Sequence, residues 1–242
     1  MAKSAHPEIS TEFLDFLRRT DTCTVSNAIE TFNVRMRNEG YIGWGVKCMF
    51  PALPPVAGFA VTGRIRTTAP PISNLTYYQN MEWWEYVASM EGPKVIVIAD
   101  VDPAPGVGAF FGELHAEISK GLGAVGYVTN GAVRDLPALS ASKFQCFAGG
   151  TSVSHAYAHL VDIAEPIEIG GLTIHSGDLL HADCHGVLKV PVEIAPDLPG
   201  VVSQIAERER QLVELCRQPH FSIEQLRLAV HEGKEHIPEL RR

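Results

Sequence analysis

No stretch of this chain is apolar for the roughly 18–20 residues needed to cross a bilayer. The first ten residues, Met1 to Ser10, are polar and lack the apolar core of a secretory signal. A cytoplasmic protein with no membrane partner is therefore expected. Positive charge is also in short supply, with 20 Lys and Arg against 28 Asp and Glu, net −8. The basic residues are scattered, whereas a nucleic-acid surface needs a cationic excess to displace phosphate counterions; no nucleic-acid partner is expected. Cysteine is sparse. Cys23, Cys48, Cys146, Cys184 and Cys216 are odd in number, widely spaced and free of any Cys-x-x-Cys. That excludes a zinc ribbon and a disulfide framework and leaves reduced, mostly buried thiols. A phosphate loop is missing too. Gly121, Gly123 and Gly126 have Gly-x-Gly-x-x-Gly spacing, but no Gly-Lys-Ser/Thr follows and the motif precedes a strand. No repeat or linker divides the chain.

What is present is the ordinary make-up of a folded domain. Hydrophobic residues fill 45% and charged residues 20% of 242 positions, enough for one large domain with its own core. Residues 8–33 read as two short helices. Glu12 to Arg19 carries Phe13, Phe16 and Leu17 on one face; Thr24 or Ser26 would cap the second, which carries Val25, Ala28, Ile29 and Phe32. Residues 37–57, rich in Gly and Pro, read as a long excursion. Gly58 to Thr68 alternates as a strand does. Tyr77 to Met90 reads as a helix with aromatic anchors that pack a core or a subunit contact. Lys94 to Val101 is the continuous apolar run of a buried strand. Ala124 to Thr129 and Phe144 to Phe147 read as strands, and Gly170-Gly171 joins Ile167–Ile169 to Leu172–Ile174 as a hairpin. Leu179 to Asp183 and Val187 to Val190 flank a tight turn at Cys184-His185-Gly186. Helices follow from about Pro199 to Cys216 and from Ser222 to Val230. The reading is one α/β domain over 1–242, with its core at about 20–195 and a helical extension over 199–242.

Residues 112–135 are the most informative segment. Gly112-Glu113-Leu114 opens a short helix. A glycine turn and an apolar strand then lead into Asn130-Gly131-Ala132-Val133-Arg134-Asp135. An arginine beside an aspartate just past a strand suits a small anion together with a divalent metal. The guanidinium forks onto a carboxylate, and aspartate oxygens suit a hard cation such as Mg²⁺.

Several motifs together carry a family likeness. They are Gly112-Glu113-Leu114, Gly131-Ala132-Val133-Arg134-Asp135, and Ser176-Gly177-Asp178-Leu179-Leu180-x-Ala182-Asp183-x-x-Gly186-Val187-x-x-Val190-Pro191, joined by Thr22 to Ala28 and Gly58 to Thr67. In combination, over roughly residues 20–195, the chain resembles the RraA-like family, which includes class II 4-hydroxy-4-methyl-2-oxoglutarate (HMG) aldolases. The resemblance implies an α/β/β/α sandwich of the swivelling β/α type with extra helices at the ends. It implies a homotrimer or homohexamer with active sites between subunits. It also implies that Asp135 holds Mg²⁺ or Mn²⁺ and that Arg134 binds the 2-keto-acid end of a small substrate. The substrate carboxylate would rest on backbone amides near Gly112, Leu114 and His115, at a helix N-terminus. The family's acidic residue maps to Glu113, 21 positions before Arg134. A second carboxylate for the metal could come from a neighbouring subunit's C-terminal helix. Glu207, Glu209 and Glu214 are the candidates, with Glu209 assigned. Two departures stand out: glycines at Gly149-Gly150 where many relatives have an arginine, and the long 37–57 excursion.

The implied chemistry is retro-aldol cleavage, or oxaloacetate decarboxylation, through a pyruvate enolate stabilised by the cation and by Arg134. A metal-bound or Glu113-held water would act as base. A Schiff-base aldolase would need a buried lysine of depressed pKa; of the seven lysines, Lys120 and Lys189 lie nearest the motifs, and neither has a cationic neighbour in sequence. The alternative from another class is a non-catalytic regulator that binds a ribonuclease. In His181-Ala182-Asp183-Cys184-His185, Asp183 reads as a strand-end acid and the histidines as incidental. His155 and His159 would form an i, i+4 metal pair only on a helix, and they lack the glutamate of His-Glu-x-x-His. Asp100 and Asp102, at the end of a buried strand, fit a ligand site or a loop cap equally well.

Overall fold

The computed structural model describes residues 9–71 and 80–234, with the side chains of 232–234 outside that description. Two amphipathic helices come first, α1 (Thr11–Arg19) and α2 (Thr22–Glu30). Ser10 caps α1 by accepting from Phe13 N. The cap of α2 is Asp21, earlier than the expected Thr24 or Ser26. Its two oxygens accept from both the amide and the hydroxyl of Thr24, at 2.9 and 2.7 Å, so Thr24 is the partner of the cap.

The strands and helices that follow are β1 (Lys47–Cys48), β2 (Val56–Arg66), α3 (Met81–Ser89), β3 (Lys94–Asp100), β4 (Ala109–Phe111), α4 (Glu113–Gly121), β5 (Ala124–Thr129) and β6 (Ala132–Val133). Next come α5 (Leu136–Ala141), β7 (Gln145–Ala148), β8 (Gly150–Thr151), β9 (His159–Ile163), β10 (Ile167–Ile169) and β11 (Leu172–Ile174). The chain closes with β12 (Leu179–Asp183), β13 (Gly186–Lys189), a 3₁₀ turn (Val192–Ile194), α6 (Leu198–Cys216) and α7 (Ile223–Lys234). The expected helix over Tyr77 to Met90 is realised as α3, with Trp83 and Trp84 buried in the core; Tyr77 and Tyr78 lie outside the described residues. No helix among the described residues is long and apolar enough to cross a membrane.

The main sheet runs β1-β7-β5-β3-β2-β12-β13, with β2, β3, β5 and β7 mutually parallel. The long β2 serves two partners on its other edge, β12 along Val56–Phe59 and β9 along Gly63–Arg66. β3 alternates between two cores. Ile96 and Ile98 face α3, α4 and the aromatic residues of β4, while Val95, Val97 and Ala99 face the β10–β11 hairpin. A third cluster packs α1, α2 and α6 on Leu179, Leu188 and Val190. The 37–57 excursion is no idle loop. Tyr41 bridges Leu188 at one edge of the sheet and Lys47–Cys48 pairs with Phe147–Ala148 at the other, so both open edges are covered.

Buried Asp183, at the end of β12, ties α2 to the sheet. Its oxygens accept from Thr22 N at 2.9 Å, Thr22 Oγ1 at 2.5 Å and His185 N at 2.8 Å. Burial opposes its ionisation most strongly. The Thr22 hydroxyl and amide, the His185 amide and the His185 charge together outweigh that and hold its pKa below the usual carboxylate value. Its contribution is therefore complete above the unfolded-state pKa of about 3.9 and is lost as pH falls through the folded value. Asp183→Ala is expected to lower the unfolding free energy at neutral pH by about 2–3 kcal/mol. In urea unfolding followed from pH 7 into the acid range, Asp183→Asn should lose less stability than the parent chain.

Candidate active site

The small β4–β6–β8 sheet is wholly parallel and pairs Phe111 with Val133 and Val133 with Thr151. Residues that leave the carboxyl ends of these strands therefore emerge side by side: Gly112 from β4, Arg134 and Asp135 from β6, Ser152 from β8. Backbone bonds extend the alignment, Arg134 N donating to Phe111 O at 3.0 Å and Ser152 N to Val133 O at 3.1 Å. Gly112 and Asp135 are then the N-caps of α4 and α5, so two helix starts meet at one point.

The approach is close enough to need glycine. A Cβ on Gly112 would lie 2.5 Å from Asp135 Oδ2 and 2.9 Å from Arg134 Cγ. Asp135 itself sits at φ 55°, ψ 38°, a left-handed conformation that costs a non-glycine residue roughly 1 kcal/mol or more. That conformation aims its carboxylate back at α4. Oδ2 accepts from Glu113 N and Oδ1 from Arg134 Nε, both at 3.2 Å. The Arg134 side chain is 30% exposed and Asp135 36%, and the guanidinium makes no other hydrogen bond among the described residues. Glu113 is exposed beside them.

The first turn of α4 precedes its own ladder, whose opening bond is Ala116 N to Gly112 O at 3.0 Å. The Leu114 and His115 amides thus lie at the positive end of the helix, next to the Glu113 amide that Asp135 accepts from. The His115 ring takes no part. It is buried, stacked on Phe110 and Phe111 and close to Trp84, with Nδ1 2.5 Å from Phe110 O. An oxygen-only donor set of Asp135 and Glu113, with lone pairs to spare and water access, fits a hard divalent cation. Glu209 stands apart from this group within one chain. It is exposed on α6, which packs on α2, while Glu207 and Glu214 are engaged by Arg210.

Other sequence candidates resolve by geometry. His155 and His159 are not on a helix; each Nδ1 faces a backbone carbonyl, of Ala109 and of Tyr157. Asp100 and Asp102 hold the loop: Asp102 Oδ2 accepts from Thr67 N and Thr68 N, and Asp100 Oδ2 from Gly106 N. Lys189 pairs with Asp178 at 2.6 Å, and Lys120 donates to Ser142 O. Sequence reasoning passed over Lys94, which is buried, and burial lowers its pKa. It nevertheless donates to the Gly92 and Leu122 carbonyls, which leaves it a poor imine-forming amine. The Gly149-Gly150 departure also has a cause. A Cβ on Gly149 would lie 2.2 Å from Asn130 O, whereas one on Gly150 would meet nothing within 4 Å. Gly150 opens onto a cleft of about 420 Å³, with Trp44, Gly106 and Glu168 in its walls, at the far end of β6 from Arg134.

The RraA-like family model (Aldolase/RraA) matches residues 22–189, which contain every part of this constellation except the α6 glutamate. The chain belongs to the RraA-like family. It is 36% identical over 84 residues, 34% of this chain and 40% of the relative, to a Halalkalibacterium halodurans protein provisionally named 4-hydroxy-4-methyl-2-oxoglutarate aldolase. The chain spans about half or less of the length of the curated relatives it matches. Among solved structures, an uncharacterised Pseudomonas syringae protein aligns at TM-score 0.72 and 21% identity, covering 94% of this chain and 98% of that one. Streptomyces coelicolor RraAS2, described as an unusual member of the RNase ES inhibitor RraA protein family, aligns at 0.64 and 20%, covering 88% and 99%. These structures show that the α/β architecture is the RraA fold.

Crowding at Gly112 gives a direct check on this RraA-like site. Gly112→Ala is expected to cost about 1–3 kcal/mol through the clash with Asp135. Gly121→Ala, where a Cβ meets nothing within 4 Å, should be neutral or stabilising by up to about 1 kcal/mol. Urea midpoints of the two variants test the difference.

Proposed function

We propose that this chain is a divalent-metal-dependent carbon–carbon lyase acting on a small 2-keto acid: HMG-type substrates by retro-aldol cleavage, oxaloacetate by decarboxylation, or both. The observation that carries this reading is the Gly112–Arg134–Asp135 cradle facing the first turn of α4. It brings a guanidinium, a helix-start amide and a carboxylate within hydrogen-bond reach of one another.

Arg134 forks onto the keto-acid end of the substrate, and the Leu114 and His115 amides receive its carboxylate. Asp135, with Glu113 beside it, would hold Mg²⁺ or Mn²⁺; when bound, the cation polarises the keto oxygen and stabilises the negative charge developing there. Glu113 positions a water that takes the proton from the hydroxyl on the carbon that becomes a carbonyl. The adjacent carbon–carbon bond breaks, its electron pair passes to the pyruvate unit as an enolate, and protonation gives pyruvate. Decarboxylation reaches the same enolate with no hydroxyl base. Leu114, Val107 and Val153 are exposed on segments flanking the small sheet, and we assign this face to contact with a second copy in a homotrimer or homohexamer. Glu209, exposed on α6, is the carboxylate we assign to the neighbouring site.

A second reading is a regulator that binds a ribonuclease. It rests on the net charge of −8, which suits a basic RNA-binding surface. Pyruvate release from HMG and oxaloacetate, coupled to lactate dehydrogenase, separates the two. Turnover should require Mg²⁺ or Mn²⁺, stop with EDTA and vanish in Asp135→Ala. Arg134→Ala should lower kcat/KM by about 10²–10³. A folded parent protein that turns over neither substrate with either metal would sink the enzyme and leave ribonuclease inhibition as the next assay.

A further inference from the structure

A second group of metal-binding side chains lies at the other end of the molecule, where α2 meets the β12–β13 turn. Asp21, Cys23 and His185 present ligand atoms that all lie within 4.8 Å of one another. Their convergence is built. Thr22 faces inward, giving its amide and hydroxyl to buried Asp183 across 161 positions of sequence, so its neighbours Asp21 and Cys23 face outward around His185. Asp183 Oδ1 also lies 3.1 Å from His185 Nδ1. A carboxylate that receives Nδ1–H fixes the ring and leaves the Nε2 lone pair to bind, the outer-shell arrangement of histidine metal ligands. Asp21 caps α2 through Thr24 and keeps lone pairs on both oxygens. A cleft of about 190 Å³, walled by Thr22, Cys23, Ser26, Tyr41, His185 and Gly186, opens beside the three.

We infer that Asp21, Cys23 and His185 form a binding site for a borderline transition cation, Zn²⁺, with a fourth position open to the cleft. A thiolate and an imidazole select such an ion over Mg²⁺, which prefers oxygen donors throughout. The 4.8 Å spread closes onto a tetrahedral cation at about 2.0–2.3 Å by small side-chain rotations. His185, incidental by sequence, becomes its central ligand. His181 is fully buried and does not join the group of convergent ligand atoms.

The test uses full-length, chelator-stripped protein carrying Asp135→Ala, so that the other site cannot contribute. Titration with Zn²⁺ by calorimetry and with Co²⁺ by absorption should each saturate at one equivalent per chain. The Co²⁺ form should show thiolate charge-transfer absorption. Cys23→Ser should abolish that absorption, and His185→Ala should weaken Zn²⁺ binding about tenfold or more. Cys184→Ser should leave both unchanged. Cys184 Sγ also lies near the ring, 3.5 Å from His185 Nδ1, so the assignment fails if Cys184→Ser removes the absorption while Cys23→Ser keeps it. It fails equally if folded protein shows no saturable uptake. Both surface cysteine variants are exposed-site changes, and unfolding midpoints will show that they fold.

Discussion

Every residue of β3 is shielded from water, and a strand buried on both faces dictates what must lie over it. One face demands α3, α4 and the aromatic residues of β4; the other demands the β10–β11 hairpin. The consequence for chemistry appears at its carboxyl end. Asp100 N donates to Asn130 Oδ1 at 2.7 Å, and Asn130 Nδ2 donates back to Asp100 O at 2.9 Å, clasping the ends of β3 and β5. From that clasp the chain departs twice, once through the loop held by Asp100 and Asp102 into β4, once through Gly131 into β6. Those two short strands pair, and their ends are Gly112 and Arg134. Gly112 and Arg134 are thus placed by the core strands β3 and β5 that precede β4 and β6, and by backbone bonds that no side-chain substitution at 112 or 134 removes.

How legible this was depended on how long each pattern ran. Ala124–Thr129, Leu179–Asp183 and the Ile167–Ile174 hairpin fall where the sequence placed them, because a short, mostly apolar run bounded by turn residues, or a Gly-Gly turn, leaves little choice. β6 and β8 have two residues each and carry no periodicity; their pairing is visible only in three dimensions. The same holds for the left-handed Asp135, since nothing in Arg-Asp-Leu-Pro announces a positive φ. Arg134 and Asp135 were nevertheless singled out by residue chemistry and family likeness, which do not require knowing how the backbone turns. His115 shows the reverse: its place in the motif was legible, but the burial of its ring beneath Trp84 was not.

Glycine marks where backbone must approach backbone or carboxylate. At 112 it admits Asp135, and at 149 it admits the Asn130 carbonyl. At 150 no such demand exists, so the side chain missing there widens a cleft without relieving any contact. The 41–48 segment that covers the sheet edges also supplies Trp44 and Gly45 to this cleft and Tyr41 and Ile42 to the other. One irregular excursion therefore shapes two concavities while removing two edges that would otherwise pair with another chain. Loops of that length persist in compact domains when they do both kinds of work.

The two ends of the molecule differ in donor chemistry as well as in place. Around Asp135 the donors are oxygens, partly exposed and backed by a guanidinium, a setting that would bind the proposed hard cation weakly and leave room for a chelating substrate. Around His185 the donors are sulfur, nitrogen and oxygen, held by a buried carboxylate. Raw affinity among divalent ions favours the later transition metals at nearly any site, so a Mg²⁺-dependent reaction is exposed to inhibition by traces of Zn²⁺. The Asp21, Cys23 and His185 group, bearing a thiol and an imidazole, would compete for that trace on better terms than Asp135. The His115 ring is turned inward, away from Asp135, with its Nδ1 at the Phe110 carbonyl, which keeps the two donor sets distinct. The inward turn of His115 is a packing outcome, with the ring stacked on Phe110 and Phe111; for the proposed hard-ion site it has a chemical consequence, since an imidazole facing Asp135 would favour zinc there.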